Sequence, residues 1–217
     1  YELLLAQTLS ALLGNTVLRY SITIGAYLGA LGLGAMMCGS SSSAPESRLL
    51  HVELWLSVLG GASVPLFFAL DALQRYLYLT EGPLKNSSWV PVGFLVVTHL
   101  IIGAIGILSG FEIPLLIDMG ERIDKGMTNR VLGADYFGSV VGAVLFPLVL
   151  LPRLGLFATA FGVALLNALA GVLLVVAYAK RGRRLLVPSS LVIAAFLAFA
   201  VSASGRIQRH FLRTYYF

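Results

Sequence analysis

The chain has 217 residues, of which 58% are hydrophobic and only 12% charged, and its mean hydropathy is +0.90. A soluble domain carries about a quarter charged residues, so this composition excludes an ordinary water-soluble fold and points to an integral membrane protein. The net charge of +5 and a pI near 9.6 suit anionic lipid headgroups and give no reason to invoke nucleic acid.

A membrane helix needs about 20 apolar residues to cross the hydrocarbon, and only helices or closed barrels can do so. Residues 1–13 are apolar but too short. The chain opens without a methionine, so this piece reads as the tail of a helix whose start is missing. No charged n-region of a cleavable signal precedes it. Apolar runs over residues 16–38, 54–73, 90–111, 131–151, 154–178 and 185–204 predict six further helices. The expectation is a single all-α domain over residues 1–217, a polytopic bundle of about seven transmembrane helices, the first incomplete.

The connectors follow the turn residues. Ser40–Ser43 with Ala44-Pro45 reads as a flexible loop, as does Glu81–Ser88 with its Gly-Pro and Asn-Ser-Ser. The polar stretch over residues 120–129 suggests a short interfacial helix, and Asp118 is placed in this solvated connector. Pro152 and Gly155 read as a tight reversal, because proline cannot continue a helix without losing a donor. Lys180, Arg181, Arg183 and Arg184 form the strongest positive-inside signal, but Arg206, Arg209 and Arg213 oppose it, so orientation stays open.

Motifs for chemistry are sparse. One cysteine, Cys38, excludes an internal disulfide and any cysteine-based metal cluster. His51, His99 and His210 lack ligand spacing. The glycines of "GALGLGAMMCG" lie inside an apolar span with no preceding strand, so helix packing explains them better than a nucleotide loop does.

Small residues recur at helical spacing, and such stripes mark faces turned to other helices. Gly25, Gly29 and Gly32 share one face. Gly103, Gly106 and Gly110 share another with His99, and Gly138 and Gly142 a third with Asp135. Ala160, Ala164, Asn167 and Gly171 line up on a fourth. Asp135, His99 and Asn167 are therefore expected to point into the bundle.

An ionised carboxylate is costly in lipid, so acids within spans are candidates for function. Glu53 is expected to open its helix, Glu112 to close one before Pro114, and Asp135 to open the next, all at one face. Together they would form an acidic vestibule, with Glu2 deeper. The competing reading pairs these acids with Arg122 or Arg130, or uses them as helix caps. No metal or cofactor is expected in the chain.

Several pieces in order carry a resemblance: Tyr1-Glu2, then "LSALLGNTV", "GAYLGALGLGA", "GFEIPLL", "ADYFGSVVGAVLFPLVLLPRLG", and Leu166-Asn167. They resemble the membrane domain of membrane-bound spermidine synthase-like proteins, also described as a transporter-like region fused to a polyamine aminopropyltransferase. The resemblance covers nearly the whole chain. It implies that catalysis, with decarboxylated S-adenosylmethionine, resides in a soluble Rossmann-like domain following the helices, and no such domain lies within these residues. The expected function is thus a multi-pass membrane domain, non-catalytic by itself, that anchors or serves an enzyme or complex. Alternatives are a transporter-like bundle for a small cationic solute and a structural accessory subunit. The expected partners are the lipid bilayer and either other membrane subunits or a missing soluble domain. The expected location is the bacterial inner membrane.

Overall fold

A computed structural model describes residues 1–39, 44–79, 85, 87–178 and 186–216. The loop at Ser40–Ser43, nearly all of the connector at 81–88, and the basic loop holding Lys180, Arg181, Arg183 and Arg184 lie outside the described residues, as does the side chain of Arg213.

Among the described residues the fold is wholly helical, with no strand. In chain order the elements are α1 (Glu2–Leu13), α2 (Thr16–Met37), α3 (Pro45–Leu79), α4 (Trp89–Glu121), α5 (Met127–Leu145), α6 (Leu151–Tyr178) and α7 (Leu186–Tyr216). A five-residue π segment, Phe146–Leu150, joins α5 to α6. Four helical runs are long and apolar enough to cross a membrane: α2, α3, α4 and Met127–Ala177. Glu2–Leu13 and Ser190–Arg206 are shorter apolar helices. The all-helical expectation holds among the described residues, with four such runs, the last of them holding both α5 and α6.

Several helices outrun their apolar stretches, since polar residues can continue a helix beyond the part that avoids water. α3 begins at Pro45, not at residue 54, because proline suits a first helical turn that has no use for its amide. α4 passes through Pro114 and ends at Glu121, so the stop expected at residue 111 is absent. Proline removes one bond from the helical ladder, and the rest of the ladder carries the helix on. The interfacial helix expected over residues 120–129 is instead a turn. The Glu121 carboxylate accepts from the Gly126 and Thr128 amides at 3.2 and 2.9 Å and from the Thr128 hydroxyl at 2.7 Å. Gly126, at φ 92°, supplies the left-handed step.

The reversal expected over residues 151–155 is a break at its last residue, Gly155, whose φ of 74° and ψ of −179° interrupt α6. A side chain there would also meet Gln208 of α7 at 3.1 Å.

α3 is the central helix. One core cluster joins it to α1, α2 and α4 through Leu9, Tyr27, Leu56, Phe67, Ile102 and Ile105. A second joins it to α1, α6 and α7 through Leu4, Val64, Phe157, Ala164 and Leu197. Phe68 and Phe157 meet with ring centroids 5.1 Å apart. Buried hydroxyls bond back along their own helices, Thr8 to Leu4, Ser57 to Glu53 and Thr98 to Phe94, at 2.7–2.9 Å. An apolar interior therefore hosts them without orphaned donors.

Candidate functional site

The polar residues singled out in the sequence fall into two groups. Glu53 is buried, two turns inside α3 rather than at its start. Glu112 is half-buried in the interior of α4 rather than at its end, and Asp135 is half-buried two turns inside α5. Glu112 lies within electrostatic reach of both Glu53 and Asp135. Among the described residues, Arg122 binds Asp118 at 3.0 Å and Arg130 sits 3.8 Å from Asp124. Asp118 is thus an ion-paired residue of α4, not part of a solvated connector. Glu2 occupies the first turn of α1, half-buried.

A hydrogen-bonded relay adjoins these acids. Asn167 Nδ2 donates to the Tyr1 hydroxyl at 3.4 Å, and that hydroxyl donates to the Leu56 carbonyl at 3.2 Å. The Tyr1 ring occupies the space beside Gly60 that a side chain would fill. Helices α1, α3 and α6 meet at this point. The Tyr1 hydroxyl is itself in electrostatic reach of Glu112 and Glu53. His99 stands apart: its Nδ1 faces the Leu95 carbonyl at 2.8 Å, while its Nε2 is buried without a partner among the described residues.

The glycine stripes divide. Gly106 and Gly110 pack directly on the backbone of α2. Gly103 does not, and neither do Gly25, Gly29 and Gly32, which look into open space. The packed face of α2 is instead Thr23, Tyr27, Ala30 and Gly34, and Tyr27 donates to Ser109 Oγ at 2.9 Å. Two glycine faces on one helix are equivalent in spacing; the tyrosine that reaches a partner hydroxyl selects between them. Gly138 and Gly142 are likewise open, because α5 buries none of its residues and, among the described residues, packs chiefly on α4 and the π segment. Asp135 therefore sits on a peripheral helix.

Sequence reading missed Asp71. Its carboxylate is fully buried in α3 and accepts from Arg75 Nε at 2.8 Å and Gln74 Nε2 at 3.2 Å. The Asp-x-x-Gln-Arg spacing, with partners three and four residues on, was the available signal. Among the described residues no group of histidines, cysteines and acids is arranged to hold a metal.

The fold and its polar groups define an all-helical protein with several helices long enough to cross a membrane and carboxylates set inside them. Comparison with known proteins adds a name for its relatives. The chain is 36% identical over 171 residues to polyamine aminopropyltransferase 2 of Ralstonia nicotianae, covering 77% of the chain and 30% of that enzyme. It is 34% identical over 169 residues to the polyamine aminopropyltransferase of Leptospira interrogans, with the same coverage. With polyamine aminopropyltransferase 1 of Streptomyces coelicolor it shares 33% over 205 residues, 92% of the chain and 35% of the relative. The chain thus spans about a third of the length of these curated relatives. No family model matches it, and no solved structure does.

These relatives correct the functional expectation. They are named as enzymes, which overturns the reading of the chain as a non-catalytic membrane domain. They favour neither a cation transporter nor a structural accessory subunit.

Proposed function

We propose that this chain belongs to a membrane-set polyamine aminopropyltransferase, an enzyme moving an aminopropyl group from decarboxylated S-adenosylmethionine to an amine acceptor. The observation that carries this reading is the similarity to enzymes of that name over 77–92% of the chain.

The membrane setting draws support from where aromatic residues fall. Exposed Trp55 and Tyr76 bracket the middle of α3, and 21 residues of helix span ~31 Å, close to the hydrocarbon thickness of ~30 Å. Trp89 at the head of α4 is exposed, and Glu112 follows after 23 residues, ~35 Å along. Trp and Tyr concentrate at the two membrane–water boundaries, so Glu53 and Glu112 fall near one boundary of a bilayer. There Glu53, Glu112 and Asp135 offer carboxylates to the ammonium groups of a polyamine, while Tyr1 and Asn167 hold α1 and α6 in place. Glu2 and His99 complete the polar set. We place the protein in the bacterial inner membrane, with the bilayer as its first partner.

The test is aminopropyl transfer by the complete polypeptide in washed membranes, followed as radiolabel passing from donor to diamine. Transfer that stays with the membranes and whose acceptor KM rises in Glu112→Gln supports the reading. Absence of transfer with every diamine tried would end it.

A further inference from the structure

A pocket of about 380 Å³ opens between the first turns of α3 and the second half of α4, lined by residues that include Arg48, His51, Trp55, Leu108, Phe111 and Leu115. None of the roles assigned above uses it. Its chemistry is divided: two nitrogen bases at the rim, apolar and aromatic walls below.

The rim is assembled by helical spacing. Ser47, His51 and Trp55 recur every four residues and so share one face of α3. His51 Nδ1 lies 2.6 Å from the Ser47 carbonyl, which requires a hydrogen on Nδ1 and turns Nε2 outward. Arg48 NH1 donates to the Cys38 carbonyl at 3.0 Å, and its guanidinium lies 6.0 Å above the Phe111 ring. The side chain is thereby fixed, yet a guanidinium has five donors and one carbonyl takes only one of them. Trp55 is 57% exposed and stands one turn further along α3, at the boundary placed above.

We infer that this pocket binds an anionic membrane phospholipid, its phosphate held by Arg48 with the His51 ring beside it and its glycerol and upper acyl chain lying against Trp55, Phe111 and Leu115. Charge complementarity selects the ligand: a rim of one fixed cation and one imidazole suits a phosphate and repels a polyamine. A planar guanidinium with free donors pairs with phosphate oxygens in a bidentate manner. Apolar walls at headgroup depth suit a lipid rather than a free anion. The inference rests on the membrane reading of the preceding subsection.

The experiment is native mass spectrometry of the detergent-purified protein, supplied with equal amounts of phosphatidylglycerol and phosphatidylcholine. Phosphatidylglycerol should be retained preferentially, about fivefold, as one fixed arginine near an anionic lipid implies. His51→Gln, which leaves the Arg48 bond to Cys38 intact, should lower that preference in part, and Arg48→Gln with His51→Gln should abolish it. Arg153→Gln, an exposed arginine elsewhere, should leave it unchanged. Equal retention of both lipids, or the same loss in Arg153→Gln, overturns the inference. So does full displacement of phosphatidylglycerol by soluble glycerol phosphate, which would make the site one for free phosphate. Carbonate extraction of cell membranes separates the two readings: a protein released into the aqueous fraction refutes the membrane setting itself, whereas an embedded protein without lipid preference refutes only the pocket.

Discussion

Gly110 of α4 lies against the carbonyl oxygen of Leu31 on α2, with no room between them for a methyl group. Gly34 stands in the same relation to Ile107, and Gly106 to Tyr27 and Ala30. Backbones brought this close gain dispersion contacts along their whole shared length, which is how helices associate where no water drives them together. Gly110→Ala should therefore destabilise the protein by about 1–3 kcal/mol through overpacking. Gly29→Ala and Gly142→Ala, facing open space, should be neutral or stabilising by up to ~1 kcal/mol, because alanine is the better helix former. Unfolding in mixed micelles of rising SDS content would show the opposite signs.

The Asp71–Arg75 pair is the place where charge most affects stability. Asp71 is fully buried, while the arginine side chain is 55% exposed. Arg75→Gln leaves a buried carboxylate short of a charged donor and should cost about 1–3 kcal/mol. Arg122→Gln disturbs a pair with both ends in contact with solvent and should cost under ~1 kcal/mol. Comparing the two melts at low and high salt gives the check: only the smaller Arg122 effect should fade as salt rises.

Gly155 carries the sharpest backbone demand. Its φ of 74° with extended ψ is open essentially to glycine alone, and Gln208 stands where a side chain would go. Gly155→Ala should cost about 1–3 kcal/mol, and limited proteolysis should cut the α6–α7 region faster. An unchanged digestion pattern would show that the break is not held by α7.

The Asn167–Tyr1–Leu56 relay predicts a coupling. Tyr1→Phe and Asn167→Ala should each weaken the bundle modestly, with an interaction energy of about 0.5–1 kcal/mol in a double-mutant cycle. Strict additivity would mean that the 3.4 Å contact contributes nothing.

How far the fold was legible can be followed along α2. Its apolar run marked the helix to within a residue, since hydrophobic length is a property of the chain alone. Its packed face was chosen wrongly, because Gly25–Gly29–Gly32 and Thr23–Tyr27–Ala30 have the same spacing. Only the position of Ser109 on another helix distinguishes them. α5 shows the same limit more strongly: an apolar helix left exposed and one packed on protein read alike, so Gly138 and Gly142 gave no warning that they face outward. The acids at 53, 112 and 135 could be singled out by their cost in an apolar run. That Asp71 takes its own helix's Gln74 and Arg75 as partners was written in the spacing and overlooked. Family resemblance, unlike packing, lies in ordered motifs, and the pieces around Glu112 and Asp135 led to the relatives that the comparisons name.

The two core clusters share α1 and α3, and their fully buried members otherwise come from different helices, with Leu174 of α6 alone packing against the first and α5 lying between them almost unpacked. That arrangement imposes a chronology on a chain made from its N-terminus. By the time Glu121 has been synthesised, every helix that supplies the first cluster's buried members exists and can close around α3, leaving one flank of α3 bare. α5 then acts as slack, long enough to carry the chain to the far side without tugging on what is already set. α6 and α7 arrive last and settle on that waiting flank.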